Sequence, residues 1–138
     1  MRAVLDCNVY VSALIRPDGP PSKLLDAFTE GRFEAVVSAA ILGELRRVLK
    51  YPKLRRRIVL NHMEQEAFLT ALSLLSVWVE DRPAGETIVA ADPSDDIYVL
   101  AAIEGKADYI VSGDAHLLAL GAYDRIRIVS PKEFLEKL

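Results

Sequence analysis

The chain has 138 residues, 51% of them hydrophobic and 27% charged, a composition that fits one ordinary globular domain and leaves no room for a second core. Its formal charge of −3 makes no overall case for a polyanionic partner, and Cys7, the only cysteine, excludes both an internal disulfide and a multi-cysteine zinc site. No apolar run approaches the roughly eighteen residues of a membrane span, and the opening is broken by Asp6 and Asn8, unlike a signal peptide. The expectation is one domain over residues 1–138, cytoplasmic and without a membrane partner.

In chain order, Ala3-Val4-Leu5 reads as a first strand covered on both faces. After Pro17, Gly19, Pro20 and Pro21, a helix is predicted from about Ser22 to Glu30, stopped by Gly31. Phe33 to Val37 forms a second strand, and Ser38 caps a helix reaching about Lys50, ended by Tyr51-Pro52. Asn61 and Glu64 have the spacing of a capping box, opening a helix that carries Phe68, Leu69, Leu72 and Leu75. Val77-Trp78-Val79 is a third strand, with Trp78 expected in the core. Residues 81–91 read as loop with a short strand at Ile88-Val89. A helix follows Asp92-Pro93-Ser94-Asp95-Asp96 and ends near Gly105. Tyr109-Ile110-Val111 is a buried strand, Asp114 to Leu120 a short helix, Ile126 to Val129 a last strand, and Ser130-Pro131 opens a final helix. Strands alternating with helices predict an α/β domain with a mainly parallel sheet.

In such sheets ligands bind beyond the carboxyl ends of the strands. Asp6 follows the first strand and Asp114 lies three residues after Val111; Asp95 and Asp96 start a helix that returns from the same edge. Glu44 is placed by helix geometry: Ile41, Leu45 and Val48 define an apolar stripe, and Glu44 falls on its border while Arg46, Arg47 and Lys50 point away. Each acid also has an ordinary reading. Asp6, Asn8, Asp92, Asp95, Asp96 and Asp114 can cap turns or helices, and Glu44 can be a surface group favoured by the helix dipole. Gathered at one edge, with no Lys or Arg beside them in sequence, they would repel one another unless a cation sat among them. All-oxygen ligands suit Mg²⁺ or Mn²⁺, which can activate water and balance charge on a phosphodiester.

Taken together, these motifs resemble those of PIN domains, in particular the VapC-like ribonucleases that are the toxin components of toxin–antitoxin pairs. Val4-Leu5-Asp6-Cys7-Asn8-Val9, the helix from Ser38 through Gly43-Glu44-Leu45, Asp92-Pro93-Ser94-Asp95-Asp96 with Ala101-Ala102, and Tyr109 to Asp114 with Leu117-Leu118 are similar to the four family motifs in order. The resemblance implies a three-layer α/β/α sandwich and a ribonuclease using Mg²⁺ or Mn²⁺. It also implies homodimers and an antitoxin protein that blocks the site. Carried over residue by residue, it makes Asp6, Glu44, Asp96 and Asp114 the catalytic metal ligands, with Asn8, Asp95 and Ser112 secondary. Asp96 has better spacing to Ala101 and Asp114 than Asp95 has. Cys7 and Ser112 stand where the family usually has threonine; the serine keeps the hydroxyl, and Cys7, expected to point opposite to Asp6 and Asn8 along a strand, reads as core packing.

Arg46, Arg47, Lys50, Lys53, Arg55, Arg56 and Arg57 hold seven of the 17 basic residues, with no acid between Glu44 and Glu64. Such a strip would attract RNA phosphates, or it is a solvated face. An alternative to the ribonuclease is a catalytically weak PIN scaffold that binds RNA or an antitoxin. A phosphoryl-accepting signalling domain fails on the residues: Asp6 lacks an acidic neighbour, and the Ser112-Gly113-Asp114 segment after its strand lacks the lysine that class needs.

Overall fold

A computed structural model describes residues 1–81 and 95–138. The expected strand at Ile88-Val89 and the acid Asp92 lie outside the described residues. In chain order the elements are β1 (Arg2–Leu5), α1 (Cys7–Ile15), α2 (Pro20–Thr29), β2 (Glu34–Val37), α3 (Ala39–Leu49), α4 (Pro52–Arg55), α5 (His62–Leu75) and β3 (Val77–Trp78). Then come α6 (Asp96–Glu104), β4 (Tyr109–Val111), α7 (Ala115–Leu120), β5 (Ala122–Tyr123), β6 (Ile126–Val129) and α8 (Pro131–Glu136).

Among the described residues six strands form a central sheet in the order β3-β2-β1-β4-β6-β5, parallel throughout except where β5 pairs antiparallel with β6. The short runs Val4-Leu5, Val36-Val37 and Ile110-Val111 are wholly buried, as strands with helices on both faces must be. α1 packs on α2 and α3, α2 on α8, and α6 on β1, β2 and β4, giving the expected α/β/α sandwich. From β1 the chain builds outward to β2 and β3 on one side, then returns through α6 to β4 on the other. The strand order therefore reverses between β1 and β4, and a crevice opens at their carboxyl ends.

Several helix ends follow the local signals. Ser38 accepts from the Ile41 N–H, and Asn61/Glu64 and Ser130/Glu133 close reciprocal capping boxes. Gly31 and Gly121 both have positive φ, of 75° and 73°, after helix ends. Gly105, just past α6, is needed for clearance instead: a Cβ there would lie 2.7 Å from Cγ1 of the fully buried Val36.

Five features depart from expectation. Residues 7–15 are helical, so Cys7 sits in the first turn of α1 rather than on a strand. Cys7, Val9, Tyr10, Val11 and Ala13 are all buried, and a helix covered on most sides shows no amphipathic stripe. α2 starts at Pro20, with prolines at its first positions, where their missing N–H costs nothing. The short α4 and the two-residue β5 were not anticipated. Trp78 is half exposed at 50%, on β3, the outermost strand among the described residues, with its indole N–H donating to the Ser73 carbonyl at 2.7 Å.

Candidate active site

Asp6 is both the residue after β1 and the N-cap of α1. Its backbone N–H donates to the Val111 carbonyl at 3.0 Å, which fixes it against β4. One carboxylate oxygen, Oδ1, accepts from the Asn8 N–H at 3.0 Å; the other, Oδ2, accepts from the Ser112 hydroxyl at 2.7 Å. The Ser112 oxygen in turn accepts from the Asp114 N–H at 2.9 Å. Asp114 spends Oδ1 on capping α7, accepting from the N–H groups of His116 and Leu117 at 2.8 and 3.2 Å. One fully buried hydroxyl thus couples the acids after β1 and β4.

A second hydroxyl couples the remaining segments. Tyr98, on α6 and 1% exposed, donates to Glu44 Oε2 at 3.1 Å and accepts from the Cys7 N–H at 3.3 Å. Glu44 is half-buried on α3, on the border of the stripe made by Ile41, Leu45 and Leu49. Tyr98 carries no sequence signal: an aromatic residue in an apolar helix reads as core.

Asp6, Asn8, Glu44, Asp95 and Asp114 line one cleft of about 430 Å³, with Tyr51, Lys53 and Leu54 on its α4 side. Of the two adjacent acids in the third motif, Asp95 faces this cleft and Asp96 is not among its lining residues. Asp96 is the first residue of α6 and half-buried, so its side chain is turned about 100° around the helix axis from that of its neighbour. Asp95 is 91% removed from solvent.

Burial raises the Asp6 carboxyl above its ordinary 3.8, and the charge on Asp114 adds to this; the hydrogen bonds from Ser112 and Asn8 oppose it. Burial likewise pushes the Cys7 thiol up to about 12, with the charges on Asp6 and Glu44 adding to this and the hydrogen bond with Tyr98 opposing it. Burial also raises the Tyr98 phenol, with the Cys7, Asp6 and Glu44 charges adding to it. Among the described residues no three His, Cys, Asp or Glu side chains are drawn together closely enough to make a ready-formed metal cage. The donor set that lines the cleft is carboxylate oxygen. It suits a hard divalent ion that retains much of its water and is held by one or two carboxylates.

The basic stretch divides. Arg46 pairs with Glu66 of α5 at 3.3 Å. Lys53 lines the acidic cleft, and Lys50 and Arg55 line a separate hollow of about 450 Å³ with His62 and Gln65. Arg57 lines a third, of about 430 Å³, with Arg16, which was not anticipated; this hollow shares Asn8 and Leu54 with the acidic cleft. Arg47 and Arg56 are exposed.

Fold and cleft together define a PIN domain. The PIN-domain profile matches residues 2–116, and the chain belongs to that family, whose members are in general nucleases that use divalent metals. The chain is 33% identical over 145 residues to the uncharacterized protein MJ1680 of Methanocaldococcus jannaschii, covering 99% of this chain and 91% of that one. In fold it is similar to the crystal structure of PAE2754 from Pyrobaculum aerophilum, with a TM-score of 0.63, 16% identity and coverage of 99% of this chain and 87% of that one. No helix among the described residues is long and apolar enough to cross a membrane.

Proposed function

We propose that the chain is a single-domain, metal-dependent endoribonuclease. The observation that carries the reading is the cleft: acids from four separated segments, Asp6, Glu44, Asp95 and Asp114, line one hollow at the point where the strand order reverses. Asp6, Glu44 and Asp114 would hold Mg²⁺ or Mn²⁺ with the third-motif acid; Asp95 takes that place by position, with Asp96 the alternative. When bound, the ion would supply an activated water and charge stabilisation for phosphodiester hydrolysis. The protein's own part is to fix the acids through Ser112 and Tyr98 and to present Asn8 at the cleft edge.

Cationic groups around the cleft support RNA as the substrate. Lys53 stands on its wall, and Arg16 and Arg57 line the adjoining hollow, positioned to receive phosphates flanking the scissile one. Arg47, Lys50, Arg55 and Arg56 extend the positive surface, and Arg46, tied to Glu66, contributes less. The branch resemblance adds a toxin role with an antitoxin partner and a homodimeric state; co-purification with the product of a neighbouring gene and light scattering test these.

The test of activity is cleavage of single-stranded RNA with Mn²⁺ present or chelated, for the wild type and for Asp6→Asn, Glu44→Gln and Asp114→Asn. Metal-dependent cleavage lost in each variant, with the circular-dichroism spectrum unchanged, is the expected result. RNA binding without cleavage in the wild type would move the protein to the scaffold reading. Asp95→Asn beside Asp96→Asn identifies the third-motif ligand.

A further inference from the structure

We propose that Tyr98 is a positioning residue that holds Glu44 in place for the metal ion. This rests on the metal-dependent reading above and goes beyond it, since Tyr98 contributes no ligand atom. Its hydroxyl is a three-way junction. It donates to Glu44 Oε2 on α3 at 3.1 Å, accepts from the Cys7 N–H at the start of α1 at 3.3 Å, and is carried by α6, which begins directly after Asp95. The three segments that meet there each bring an acid to the cleft: Asp6 before α1, Glu44 on α3 and Asp95 before α6.

Glu44 needs such a partner more than Asp6 or Asp114 does. Asp6 is held by Asn8 and Ser112, and Asp114 by its own cap on α7. Glu44 has a longer side chain, it is half-buried, and two hydrogen bonds tie it to the rest of the site: one from the Tyr98 hydroxyl and one shared with the Cys7 thiol. An unrestrained glutamate loses rotamer entropy when it binds an ion. One restrained through Oε2 has part of that loss met beforehand. Because the ring is 1% exposed, packing holds the hydroxyl at a fixed point, as a group supporting a metal ligand requires.

The test is Mn²⁺ affinity measured by calorimetry on four proteins: wild type, Tyr98→Phe, Glu44→Gln and the double variant. Tyr98→Phe keeps the ring and its packing and removes only the hydroxyl. It should weaken Mn²⁺ binding about ten- to a hundredfold, the range for groups that support metal ligands. In the Glu44→Gln background the same change should add nothing, because the two act through one contact. Equal Mn²⁺ affinity in wild type and Tyr98→Phe overturns the proposal, and so does an undiminished penalty in the Glu44→Gln background, which would mark a general structural role. Should Tyr98→Phe fail to fold, Mg²⁺ titration of wild-type protein labelled at tyrosine decides: the Tyr98 ring resonances must shift while those of the buried Tyr10 stay, and an unmoved Tyr98 overturns the proposal. A wild type that takes up no Mn²⁺ overturns the nuclease reading together with this one, whereas uptake unaffected by Tyr98→Phe overturns this one alone.

Discussion

Ser112 holds one acid by its side chain and another by its backbone through a single oxygen, while itself fully buried. Hydrogen bonds to charged groups contribute about 1.5–3 kcal/mol each. Ser112→Ala should therefore lower stability by about 2 kcal/mol in urea unfolding, and Ser112→Thr, which keeps the hydroxyl, should retain most of it. The elevated Asp6 carboxyl sets a pH dependence. Because its folded-state pKa lies above the ordinary 3.8, the stability it contributes is full below that value and is lost as pH rises through the elevated one. Metal-free Asp6→Asn should thus be more stable than metal-free wild type at neutral pH and should lose that advantage on acidification, measured as thermal midpoints across the pH range. Asp6 and Asp114 were legible in the sequence because acids directly after short apolar strands have one place to go. Tyr98 was not, since the partner of a buried hydroxyl depends on which helices meet, and no spacing records that.

Among the elements, α3 was the most readable. Its stripe put Glu44 on a border between core and solvent, and there it lies, bonded to another helix. α1 was the least readable, because burial on most sides removes the periodicity that reveals a helix; the Asp6 cap was the available clue. The basic strip read as one surface and folds into several. An exposed ion pair contributes at most about 1 kcal/mol, but Arg46 is drawn by Glu66 toward α5, whereas Arg57 faces the hollow that adjoins the acids. Arg57→Glu and Arg16→Glu should each weaken RNA binding and flatten its salt dependence, and Arg46→Glu should do so much less. Equal effects from all three in binding titrations at several salt concentrations would return the strip to a diffuse positive face.

For the molecule as a whole, alternation of strand and helix predicts the α/β class, and the sheet grows from β1 to β2 and β3 on one side and to β4, β6 and β5 on the other. The antiparallel β5 escaped because two residues carry no pattern. Binding a divalent ion only in the folded state should stabilise the entire domain. At a metal concentration a hundred times the dissociation constant the gain is about 2.7 kcal/mol, visible as a raised melting temperature in Mn²⁺ that Asp6→Asn abolishes. An unmoved midpoint in the wild type would count against the cleft as a metal site.

Gly105 extends these arguments to a position outside the cleft. The bare backbone there lets the end of α6 settle onto Val36 with no slack, since any β-carbon would meet a methyl group at 2.7 Å. The helix is in effect a beam pinned at that foot, with Tyr98 along its length and Asp95 at its tip. Gly105→Ala should cost about 1–3 kcal/mol, as overfilled cores do, and by tilting the beam it should loosen the grip on Mn²⁺ although the new methyl group sits at the opposite end of α6 from Asp95. Losses of function in this protein can therefore arise at the foot of a helix as readily as among the carboxylates it carries.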